Sequence, residues 1–71
     1  MIKEGDKYRV TGYNCGKLAF HRLNAMGIIP DRIMEVISIQ PYDGPYTIRV
    51  GEEVLTIGRG LFSKILYEEV K

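Results

Sequence analysis

Residues Tyr46–Ile57 read YTIRVGEEVLTI, and this stretch decides the fold. Tyr46, Ile48 and Val50 alternate with Thr47 and Arg49, the period of a half-buried strand. Gly51-Glu52 then has the length of a two-residue hairpin turn, with Gly51 suited to the positive φ of a type II′ geometry. Glu53–Ile57 supplies the returning strand. A hairpin this well marked predicts a mainly β chain.

Working outward, Arg32–Gln40 (RIMEVISIQ) is dense in β-branched residues, but the adjacent Val36 and Ile37 break its alternation. Either both faces of that strand are covered or a bulge exchanges them. Pro41-Tyr42-Asp43-Gly44-Pro45 is a turn cluster joining it to the hairpin. Lys7–Tyr13 (KYRVTGY) puts Tyr8 and Val10 on one face, with Gly12 placed for a bulge or a close backbone approach. Beyond the hairpin, Gly58-Arg59-Gly60 interrupts the pattern, Leu61–Lys64 allows a single helical turn, and Ile65–Val70 reads as a last short strand.

The period changes from two to helical only at Gly16–Met26 (GKLAFHRLNAM), where Leu18, Ala19, Leu23 and Met26 form one stripe. Asn14 is the expected N-cap. Gly27 stands where a left-handed C-terminal cap favours a residue without Cβ, and Pro30 stops the helix from resuming. The predicted order is strand, helix, three strands, short turn, strand. Five short antiparallel strands in so small a chain leave long unpaired edges unless they curl. The expectation is therefore a small SH3-like barrel, a single domain over residues 1–71, with the helix covering one open end.

Composition narrows the function. Seventy-one residues that are 45% hydrophobic suffice for one small core. Ten Lys+Arg against nine Asp+Glu leave a formal charge of +1, far from the basic footprint of a phosphate-contacting domain, so no nucleic-acid partner is expected. A single cysteine, Cys15, excludes an internal disulfide and suits a reducing compartment. No apolar run approaches a membrane span, and Met1–Lys7 has no signal-peptide core. A soluble, cytoplasmic protein without membrane insertion is expected.

Catalytic groups are scarce. His21 and Cys15 are the only residues of their kinds, and a spacing of six separates their faces on a helix. Neighbouring carboxylates at Glu52-Glu53 and Glu68-Glu69 point to opposite sides of a strand. One imidazole and one thiolate do not make a closed transition-metal site, and Gly58-Arg59-Gly60 lacks the Lys-Ser/Thr of a phosphate loop. The chain is read as non-enzymatic, with no cofactor and no metal site.

Recognition is what remains. Lys17, His21, Arg22 and Arg32 give the helix and its exit a modestly basic rim, which serves as a solvated face or as a docking rim for an acidic or mixed protein surface. Ile28 and Ile29 follow the glycine cap in a row, and both turn inward only if the loop packs deeply. An exposed apolar knob beside a basic rim is a docking feature. The partner-binding candidates are therefore Lys17, His21, Arg22, Ile28 and Ile29. A short edge strand also leaves weak self-association open.

Arg22–Pro30 (RLNAMGIIP) resembles the RLxxMGxxPG segment of FeoA proteins, and Thr56–Ile65 (TIGRGLFSKI) is similar to their later LGxxLAxxI segment. The likeness runs from about Gly5 to Val70. Asp31 stands where the family usually has Gly, and Phe62 where a small residue is common. The resemblance implies a cytosolic SH3-like accessory protein of bacterial ferrous-iron uptake, docking on the cytosolic GTP-binding part of the FeoB transporter. It also implies a fold shared with the C-terminal domain of DtxR-type repressors, which raises a second reading: a stand-alone module sensing a metal or small ligand. Leu23, Met26, Gly27, Pro30 and Gly58 are the fold-defining positions of the shared motif.

Overall fold

Buried side chains recur at every second position in three strands: Tyr8 and Val10, Met34 and Val36, Ile48 and Val50. That alternation turns one face of a sheet toward a common core. The computed structural model describes residues 2–70. Its elements are β1 (Lys7–Tyr13), α1 (Lys17–Ala25), β2 (Ile33–Ile39), β3 (Tyr46–Val50), β4 (Glu53–Ile57), α2 (Arg59–Phe62) and β5 (Ile65–Glu69). The strands lie in the order β4-β3-β2-β1-β5, all neighbours antiparallel. This is the expected mainly β, SH3-like barrel.

Two bulges bend the sheet. The β1–β5 register shifts between Val10 and Gly12, and the β2–β3 register shifts between Val36 and Ser38. The second explains the broken alternation: Val36 is fully buried while its neighbour Ile37 is turned outward. An extra residue in one strand bends it and increases its twist, which curls a short sheet toward closure. Among the described residues no ladder joins β4 to β5. Instead α2 spans between them, and its Phe62 ring packs against Tyr46 (centroids 4.6 Å apart) and Tyr67 (5.7 Å). Phe62 is thus core at a position where a small residue was the family norm.

The hairpin follows the sequence closely. Val50 pairs with Glu53, leaving the two-residue turn, and Gly51 takes φ +64° while Glu52 keeps a negative φ. The first helix departs from expectation at its start. Gly16, not Asn14, is the N-cap, and no side chain caps the helix. Asn14 is still in the strand-to-helix connection, where its backbone N–H donates to the Lys64 carbonyl at 2.8 Å. The second helix begins at Arg59, two residues before the expected turn at Leu61.

The end of α1 is a Schellman motif. Gly27 N–H donates to the Asn24 carbonyl at 3.0 Å and Ile28 N–H to the Leu23 carbonyl at 2.9 Å, with Gly27 at φ +82°. Leu23 and Ile28, the pair such a motif brings together, are both fully buried. The rest of the predicted stripe is corrected. Ala19 and Met26 are half-buried beside Leu23, but Leu18 is 83% exposed. Leu18 stands about 100° around the helix from Ala19, which carries it off the packed side.

Candidate docking face

Positions 17, 18, 21 and 22 lie together on the outer side of α1, one turn apart. They are Lys17, Leu18, His21 and Arg22, and all are exposed. The helix holds no acidic residue, so nothing within it neutralises the basic rim. Arg22, in the last turn, also sits where the helix dipole favours a cation. Leu18 therefore stands as a bare apolar side chain inside a basic frame. Sequence reasoning missed it, because an apolar residue near a helical stripe is ordinarily assigned to the core. The absence of any acid in the helix was the available signal.

Beside this face, the Phe20 ring is 42% exposed and meets Tyr13 edge-on at 5.3 Å and His21 at 5.6 Å. The Tyr13 hydroxyl in turn donates to the Ile28 carbonyl at 2.5 Å. Burial pushes the Tyr13 phenol above its ordinary pKa; the neighbouring Cys15 adds to the rise and a hydrogen bond with the Asn24 side chain opposes it. The Tyr67 phenol is raised as well, chiefly by burial and then by Tyr8 and Tyr46.

The two isoleucines separate. Ile29 is exposed on the loop leaving the helix, whereas Ile28 has no exposed surface. Both backbone groups of Ile28 are also held, its N–H by Leu23 and its carbonyl by Tyr13. Ile28 is consequently a core residue and drops out of the docking candidates, because a knob fixed at three points inside the barrel has nothing to present. Arg32 reaches the helix exit but not its outer face: its guanidinium lies beside Gly27 and lines two shallow grooves, one of them with Asn24, Ala25 and Met26.

Of the motif positions, Leu23 and Met26 pack the core and Gly27 makes the cap. Pro30 lies exposed in the loop, followed by Asp31 at φ +73°, a left-handed residue where the family favours Gly. Gly58 is the N-cap of α2 at φ −66°, with open space where a Cβ would stand. Its backbone position matters there; the missing side chain does not.

Two ion pairs join neighbouring strands on the exposed side of the sheet. Arg9 pairs with Glu68, and Arg49 with Glu35 at 3.1 Å. Such exposed pairs contribute little to stability. Among the described residues no three of His, Cys, Asp and Glu come together as a metal-holding group. No helix among them is long and apolar enough to cross a membrane.

The all-apolar core, the five strands bent by two bulges and the cap-to-loop geometry define a small SH3-like barrel module. The sequence matches the FeoA domain over residues 1–69. The chain belongs to the FeoA family, and membership ties it to ferrous-iron transport. It is similar to a crystal structure of an iron uptake regulatory protein (FeoA), at 29% identity and TM-score 0.86 over 97% of this chain and 89% of that one. It is also similar to the solution structure of iron(II) transport protein A from Clostridium thermocellum, with 20% identity and TM-score 0.91 over 97% of this chain and 43% of that one. The metal-dependent transcriptional regulator MtsR shares the fold at 16% identity and TM-score 0.85, with this chain spanning 34% of its length. A comparison with curated proteins finds no match.

Proposed function

We propose that this chain is a non-enzymatic docking module of ferrous-iron uptake that binds the cytosolic GTP-binding part of a FeoB-type transporter through the outer face of α1. The observation that carries this reading is Leu18, 83% exposed between Lys17, His21 and Arg22 on a helix without acidic residues. An apolar contact in a basic frame suits a partner surface that is apolar at its centre and acidic at its rim. Ile29, exposed on the following loop, extends the contact. Work in the cytoplasm follows from that partner, and the ferrous ion itself is handled by the transporter.

The test is direct binding of the chain to the purified cytosolic domain of the transporter. Leu18→Ser and Arg22→Glu each weaken it on the order of tenfold or more, with melting temperature unchanged. Wild-type affinity in both variants refutes the assignment of this face.

A further inference from the structure

We infer that the Tyr42 turn is a docking knob for a second copy of this chain, received in the groove lined by Lys7, Arg32, Ile33 and Arg49. The inference does not depend on the transporter reading. It begins from an unusual turn. Tyr42 is 99% exposed, and both Tyr42 and Asp43 are held at positive φ (+58° and +59°), a conformation bulky side chains rarely adopt.

The surrounding contacts hold that conformation in place. Arg59 donates to the Gly44 carbonyl at 2.8 Å and to the Gln40 carbonyl at 3.2 Å, clasping both ends of the turn. Gln40 N–H reaches the Pro45 carbonyl at 3.2 Å, and Gly44 N–H reaches the Pro41 carbonyl at 3.1 Å. A Cβ on Gly44 would stand 2.7 Å from that of Gln40, so the closure admits only glycine. A braced turn that displays a bare tyrosine loses little entropy on binding, which is what a hot-spot residue requires. Strained backbone of this kind concentrates at functional positions.

The chemistry of the tip selects its receptor. Tyr42 is apolar and aromatic, and Asp43 is the only charged residue in the segment 40–46. The complement is an apolar floor with a cationic rim. Such a groove lies on the outer sheet face: about 450 Å³, with partly exposed Ile33 as its apolar member and Lys7, Arg32 and Arg49 around it. Asp31 and Glu35 also line it; the Arg49–Glu35 pair cancels, which leaves Lys7 and Arg32 against Asp31 and a net single positive charge for Asp43 to meet. Lys7 and Arg32 make no ion pair among the described residues.

A chain cannot fill its own groove. The β2–β3 register runs from Met34↔Val50 to Ile39↔Tyr46, so the Tyr42 turn closes one end of that ribbon and the groove lies at the other. Five residues of strand separate them by roughly 17 Å. The occupant comes from another molecule. Two copies laid antiparallel along this ribbon place each turn at the other's groove, a closed two-fold arrangement.

Sedimentation across a concentration series tests this. The wild-type chain is expected to associate reversibly. Tyr42→Asn, which removes the ring yet tolerates left-handed backbone, and Arg32→Glu, which repels Asp43, each weaken association on the order of tenfold or more. Tyr42→Phe retains it. Thermal unfolding of each variant checks that the barrel is preserved, and Asp43→Asn provides a second weakened variant if Arg32→Glu does not fold. A wild-type monomer at millimolar concentration, or association indifferent to Tyr42→Asn or to Arg32→Glu, overturns the proposal; the first would leave the turn to a different protein.

Discussion

The Arg59 guanidinium carbon lies 4.7 Å from the centroid of the Tyr46 ring, and the same guanidinium donates to the Tyr46 hydroxyl at 2.9 Å. With its bonds to the Gly44 and Gln40 carbonyls, one side chain ties α2 to the far end of the β2–β3 ribbon. A planar fork spreads its donors over three nitrogens and so reaches three separated acceptors at once, each nitrogen here serving a different one.

Arg59→Ala is accordingly expected to cost about 1–3 kcal/mol, since it strands three partners and loses a cation–π contact. For a domain this size that lowers the melting temperature by several degrees, roughly 4–8 °C per kcal/mol. Arg59→Lys recovers a minority of the loss, because an ammonium cannot span the same acceptors. Thermal denaturation of the three proteins decides it. An alanine variant as stable as wild type would show the clasp to be incidental.

Ile28 and Ile29 are adjacent in sequence and opposite in consequence. Ile28→Ala opens a cavity in a fully buried site, at a cost of about 2–5 kcal/mol. A core this small supplies a net stability on the order of 3–5 kcal/mol, so that variant is expected to be largely unfolded at room temperature. Ile29→Ala, at a half-open loop position, leaves the barrel intact. Circular dichroism separates the two at once, and equal melting curves would contradict the burial assigned to Ile28.

How far the sequence carried the reading varies from residue to residue. β1, β3 and β4 were legible to the residue because alternation is a local property, and Gly27 marked the end of α1 because left-handed geometry is a backbone demand. The Val36-Ile37 pair announced an irregularity without saying which kind; only pairing with β3 resolves it as a bulge. Leu18 was misread because the packed side of a helix is set by the sheet beneath it, not by its own stripe. Arg59, inside Gly58-Arg59-Gly60, read as a mere break. Its partners lie 13 to 19 residues away, and no local pattern encodes them.

Glycine and its stand-ins give a third expectation. Gly27→Ala forces a Cβ into φ +82° and destabilises by about 1–2 kcal/mol. Gly58→Ala, at φ −66° with open space around it, is near neutral. Asp31→Gly relieves a left-handed aspartate and restores the family residue, so it stabilises by a few tenths of a kcal/mol, up to about 1. Denaturant midpoints should rank the four proteins Asp31→Gly, wild type, Gly58→Ala, Gly27→Ala, with the middle two nearly coincident. Equal losses at Gly27 and Gly58 would mean the shared motif is not reporting backbone geometry.

Alkaline pH supplies the last. The phenols of Tyr13 and Tyr67 are both raised above the ordinary tyrosine value near 10, chiefly by burial. A raised pKa means the folded chain holds the proton more tightly than the unfolded chain does. The associated stability is therefore fully present below the unfolded pKa, and it is lost as pH rises through the folded one. Tyr13 has an added reason, because its hydroxyl must keep the proton to donate to the Ile28 carbonyl. Denaturant midpoints are expected to show no tyrosine-linked loss up to about pH 9 and a falling limb above pH 10. Tyr13→Phe lowers stability at neutral pH by about 1 kcal/mol through the lost hydrogen bond, and it flattens part of the alkaline limb. A variant that is weaker at neutral pH yet falls as steeply as wild type above pH 10 would remove Tyr13 from the alkaline transition.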